Sequence, residues 1–120
     1  MSRDHRKLRV FVLADGLVTQ IYTITQQFPA AERFGLQSQL RRAAVSAACN
    51  MVEGCARRST SEYLNFLNIA AGSASEARYL AEISCRLGFL SKEKSLSATT
   101  TYTELAAGLE ALIQSLSPES

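Results

Sequence analysis

Apolar residues recur along this chain at three- and four-residue steps, the spacing that lines one face of a helix. The pattern is densest between residues 34 and 61, where Leu36, Leu40, Ala43, Ala47 and Met51 make one stripe. Val45, Ala48 and Val52 lie nearly opposite it. A helix that is apolar on two sides has two neighbours to meet. One is the rest of its own subunit, and the other is read as a second copy of the chain. Val45, Ala48 and Val52 are therefore expected at an oligomer interface. Along one edge Arg42, Ser46 and Asn50 follow at four-residue spacing, with Glu53 three further on, as a polar stripe.

The same periodicity divides the rest of the chain. A first helix is expected from about Leu8 to Gln27, stopped by Pro29, on the stripe Val10, Ala14, Leu17, Ile21, Ile24 and Phe28. The second runs from about Gly35 to Glu53, with Gly54 as a left-handed cap. Ser59-Thr60-Ser61-Glu62 matches a capping box and opens a third helix, which reaches Leu87 before Gly88. Its core stripe of Tyr63, Phe66, Leu67, Ala70, Ala74, Ala77 and Ala81 is widened by Ile69, Leu80, Ile83 and Leu87, again more apolar surface than one core needs. A fourth helix spans about Lys92 to Leu116, with a late start expected from the weak helix formers Thr99–Thr101. No strand alternation or internal repeat interrupts this series. Short connections favour antiparallel neighbours, so the expected fold is all-α, an up-down-up-down four-helix bundle in a single domain. Residues 1–7 are expected as a polar arm and 117–120 as a frayed tail.

The run ERFGLQSQLRRAAVS, followed by Asn50, Glu53-Gly54 and Arg57, resembles the four-helix-bundle proteins called 23S rRNA intervening-sequence proteins. LRVFVLADGLVTQIYTITQQFP is similar to their first helix and YLNFLNIAAGSASEA to their third. The likeness covers roughly residues 8 to 90. Ala48 stands where the family commonly carries proline, and Phe11 where it commonly carries tryptophan. The second helix should be straighter for the first change, since proline kinks a helix. The resemblance implies a homopentamer and an association with rRNA. Relatives also include accessory proteins of diversity-generating retroelements, which work beside a reverse transcriptase.

Composition narrows the class. At 120 residues, 47% hydrophobic and 20% charged, the chain reads as one ordinary globular domain. No run approaches a membrane span, and MSRDHRKLRV lacks the apolar region of a signal peptide, so a cytoplasmic location is expected and no membrane partner. Cys49, Cys55 and Cys85 form no CxxC pair and read as reduced thiols. Net charge is +2, but residues 1–58 hold 9 Lys and Arg against 4 Asp and Glu, while residues 59–120 hold 4 against 7. Such asymmetry between halves points to an anionic partner.

Little in the sequence points to catalysis. The one histidine, His5, lies in the arm, so no Cys–His or Ser–His–Asp set forms around a buried site. Clustered metal ligands and a glycine-rich phosphate loop are both absent, and neither cofactor nor metal is expected. The polar stripe has two readings: a binding groove, or an internal network in which a buried Arg42 pairs with Glu53 or Glu76. The antiparallel order would gather Arg3, Arg6, Lys7, Arg9, Arg57 and Arg58 at one end, beside the positive dipole end of the third helix. No aromatic platform is interleaved with them in sequence, so backbone contacts rather than base stacking are expected. The resulting expectation is a non-enzymatic oligomeric module binding nucleic acid, structured RNA above all. The alternative is a homo-oligomeric scaffold docking a partner protein such as a reverse transcriptase.

Overall fold

In the computed structural model, which describes residues 3–117, the chain forms four helices: α1 (Arg9–Ile24), α2 (Leu36–Cys55), α3 (Thr60–Arg86) and α4 (Lys92–Leu116). Among the described residues there is no strand. Short 3-10 turns at His5–Lys7 and Ala30–Glu32 lead into α1 and α2.

Local chemistry sets most of these boundaries. Ser59 Oγ accepts the Glu62 backbone N–H at 3.0 Å and starts α3; the Glu62 carboxylate completes the box by accepting the Ser59 hydroxyl at 3.1 Å. Ser91 starts α4 in the same way, accepting the Lys94 N–H at 3.1 Å. Gly88 follows α3 at φ +84°, a conformation that suits glycine. The threonine run does not delay α4. α4 starts at Lys92, and within it the Thr99, Thr101 and Thr103 hydroxyls donate back to carbonyls three or four residues earlier. α1 stops at Ile24, earlier than its apolar stripe suggests. The Thr25 hydroxyl donates to the Ile21 carbonyl at 2.7 Å, and the chain turns so that Phe28 still reaches the core.

Cross-helix contacts run in opposite chain directions. Arg9 meets Glu104 while Gln20 meets Ser97; Arg42 meets Glu76 while Ser46 meets Ser73. Each helix neighbours two others, and diagonal pairs make no close backbone approach. The result is an antiparallel bundle of 45 × 22 × 20 Å. Its core runs along the whole axis, from Tyr63 and Leu67 through Leu17 and Tyr102 to Leu40, Ile24 and Leu90.

α2 and α3 make the closest pair, because small residues line their seam: Ala43, Ala47 and Gly54 on one side, Ala70, Ala74 and Ala77 on the other. Gly54 is not a left-handed cap. It lies buried inside α2, which runs on to Cys55, and a Cβ there would sit 2.9 Å from Phe66 Cβ and 3.2 Å from the Tyr63 ring. Glycine at 54 is required by close helix approach.

Candidate functional site

Of the expected polar arm, residues 1 and 2 lie outside the described residues, and residues 3–7 are held against the bundle. Arg3 donates its backbone N–H to the Cys55 carbonyl at 2.8 Å, tying the segment to the end of α2. Its guanidinium lies 4.0 Å above the Tyr63 ring, and Nη1 is enclosed with no hydrogen-bond partner among the described residues. The ring face thus takes the place of a carboxylate. Burial beside Cys55 pushes the Tyr63 phenol up to about 12, and burial also raises the Cys55 thiol. A thiol so placed is a poor nucleophile.

The other predicted cations divide into engaged and open groups. Asp4 caps the turn by accepting the Arg6 N–H at 3.1 Å and pairs with Arg6 Nε at 3.0 Å, which holds its carboxyl below the usual range. Arg9 pairs with Glu104 at 2.6 Å. Arg57 lies 4.9 Å over the half-buried Phe66 ring. Lys7 and Arg58 are exposed, and among the described residues no carboxylate comes within ion-pair distance of Lys7, Arg57 or Arg58. His5 packs its ring edge-on against Phe11, with centroids 4.7 Å apart.

The polar stripe lies along the α2–α3 seam. Arg42 pairs with Glu76 at 2.6 Å, but the two side chains are 60% and 41% exposed. The expectation of a buried Arg42 pair is therefore corrected: the stripe is on the outer edge of the seam, where long side chains reach water. Ser46 and Ser73 share a hydrogen bond of 2.8 Å, and Asn50 donates to the Ser46 carbonyl at 2.8 Å. Glu53 is exposed and pairs with none of the described cations.

The three residues expected at an interface differ in surroundings. Ala48 lies in the core of its own subunit at 8% exposure. It is four residues from Ala44 and three from Met51, so it extends the buried stripe rather than opposing it. Val45 is half-buried, while Val52 is exposed, as is Ile69 on α3.

A second cationic region lies at the opposite end, between α1 and the start of α2. Arg41 is fixed there by neutral groups: Nε donates to Thr25 Oγ1 at 2.8 Å and Nη2 to the Tyr22 carbonyl at 3.2 Å, with the guanidinium 4.5 Å over the Tyr22 ring. The Gln37 amide oxygen, in its hydrogen-bonding orientation, accepts from the same guanidinium at 3.1 Å. Phe34, beside Arg33, is 90% exposed. These residues line an open groove of about 430 Å³ together with Ser38 and Arg42. In sequence the site is marked only by Arg33-Phe34 ahead of Gly35, with Phe34 out of phase with the Leu36–Leu40 stripe.

The antiparallel fold also redistributes charge. The N-terminal end gathers the six expected cations, but Asp4, Asp15, Glu53, Glu62, Glu104 and Glu110 share that half of the bundle. The opposite half holds seven, Arg33, Arg41, Arg42, Arg78, Arg86, Lys92 and Lys94, against Glu32, Glu76, Glu82 and Glu93. Net positive charge thus resides at the end with the aromatic groove.

Among the described residues no group of three His, Cys, Asp or Glu is placed to hold a metal ion. None of the helices described is long and apolar enough to cross a membrane. No curated protein matches the chain. Its fold is similar to that of a crystal structure from Bacteroides thetaiotaomicron, a protein of unknown function from the S23 ribosomal protein family. The TM-score is 0.81 at 24% identity, over 88% of this chain and 95% of that one. Residues 6–111, nearly the whole bundle, match the family described as 23S rRNA-intervening sequence protein, and the chain belongs to that family.

Proposed function

We propose that this protein is a non-enzymatic, homo-oligomeric module that binds nucleic acid, structured RNA above all, through cations at the ends of its bundle. The observation that carries the reading is that Lys7, Arg57 and Arg58 are exposed with no carboxylate in ion-pair distance among the described residues, Arg57 and Arg58 lying just ahead of α3, a helix end whose dipole also favours anions. Arg3, Arg6 and Arg9 stand beside them but are engaged by Tyr63, Asp4 and Glu104. They add to the field more than to direct contacts. The pentamer comes from the family resemblance. Val52 and Ile69, both exposed on α2 and α3, are apolar surface on which a second copy can pack. In a ring each copy meets a different phosphate, so weak contacts add through multivalency.

Binding should be steeply salt-dependent, with log affinity falling linearly in log salt by about 0.7 to 0.9 per neutralised phosphate. Filter binding across a salt series measures that slope. Arg57→Glu with Arg58→Glu should flatten it and weaken binding uniformly across sequences. An intact oligomer that retains no RNA or DNA at low salt refutes the reading. A protein scaffold is the second reading, favoured by exposed Val12, Tyr79 and Leu96 at 60%, 55% and 62%.

A further inference from the structure

We propose that Phe34, Tyr22, Arg33 and Arg41 form a site for an unpaired nucleotide of single-stranded nucleic acid, with Phe34 as the stacking platform. The inference rests on the nucleic-acid reading above but on a different surface, at the other end of the bundle.

Three observations lead to it. A phenylalanine 90% exposed leaves a large apolar ring in water, although the core begins at Leu40, one turn into α2. The connection next to Phe34 is tied locally: Glu32 Oε1 accepts the Leu36 N–H at 3.2 Å, and a Cβ on Gly35 would meet that carboxylate at 2.8 Å. The ring stands in solvent at the edge of the groove.

Beside the ring stands a cation whose charge is not cancelled. Arg41 is oriented by Thr25, Tyr22 and Gln37, all neutral, so it is preorganised without losing its attraction for anions. Arg33 adds a second guanidinium with no carboxylate in ion-pair distance among the described residues. Arg42 is held by Glu76 and contributes less. An exposed aromatic face next to oriented guanidinium groups matches a base and its phosphate. A purely apolar partner would leave Arg41 and Arg33 unpaired at the interface, which is costly. The paired bases of a duplex present no free face to Phe34, so single strands are favoured over duplex at equal charge.

The chain has no tryptophan, so Phe34→Trp supplies a unique fluorophore at an exposed position. Titrating that variant with a short oligouridylate should quench the introduced indole, while a duplex RNA of equal length should leave it bright. In the natural sequence background, Phe34→Ala should weaken the oligouridylate about tenfold and the duplex hardly at all. Oligouridylate binding without quenching overturns the site. An indole emission that shifts blue with protein concentration alone also overturns it, since a second copy then covers the ring. Quenching that persists when Arg57 and Arg58 are reversed supports this site even if the N-terminal end binds nothing. Absence of all RNA binding at low salt overturns both proposals.

Discussion

The two ends of the bundle treat the same residue types in opposite ways. At the N-terminal end Arg3 covers Tyr63, Tyr63 packs against Gly54, and Cys55 holds the leading segment. Arg3 and Tyr63 there close the structure, while Lys7, Arg57 and Arg58 stay exposed. At the α1–α2 end Phe34 stands in solvent and Arg41 is fixed by neutral partners. There they face outward. An arginine beside an aromatic ring is thus no sign of function on its own; what distinguishes the two is whether the ring is buried.

The largest test of that contrast is the contact at Gly54. Gly54→Ala should destabilise the protein by about 1–3 kcal/mol, the range for overpacking, although alanine is the better helix former. Gly72→Ala, in α3 with open space around it, should instead stabilise by up to about 1 kcal/mol. Urea denaturation at fixed protein concentration reads both signs. Two stabilising substitutions would mean that α2 and α3 are less tightly joined at this end.

Alkaline pH provides a second test. The Tyr63 phenol is pushed from its ordinary 10 to about 12 by burial, so the folded state keeps its proton where the unfolded state loses it. That contribution is complete below pH 10 and is lost as pH rises towards 12. Stability should therefore fall across this window, and Tyr63→Phe should make the fall shallower. Tyr102, buried with its phenol raised for the same reason, keeps part of the slope in the variant. An unchanged slope would mean that Tyr63 is more open to water than its packing indicates.

The smallest effects are expected on the outward-facing residues. Arg42→Ala should cost less than about 1 kcal/mol, as for an exposed ion pair. Phe34→Ala should stay within about 0.5 kcal/mol of the natural protein in the same denaturation measurement. A larger loss at Phe34 would show that the ring supports the fold and would weaken its assignment as a contact surface.

Much of the fold is legible without coordinates. Ser59 and Gly88 mark helix ends because their signals are local: a hydroxyl accepting an N–H three residues on, or a backbone angle that suits glycine. Gly54 misleads because the same residue type serves a distant need. Nothing within a few residues distinguishes a glycine that ends a helix from one that admits Phe66 across a seam. The candidate site is legible only in part. Lys7, Arg57 and Arg58 can be named as surface cations from the sequence, whereas Tyr22 and Arg41 are 19 residues apart and meet only because α1 and α2 turn back on each other.

Periodicity and caps act within a few residues, and they account for the four helices, their order and most of their buried faces. Packing of the helices against one another sets how charges and aromatics are shared. Folding into antiparallel helices places Glu104 on Arg9, Glu76 on Arg42 and Tyr63 under Arg3, and so gives each of those cations a partner. It also moves the net positive charge to the end that a count along the chain does not single out. Electrostatic attraction depends on distance in space, and residue number gives no measure of that distance until the helices are packed.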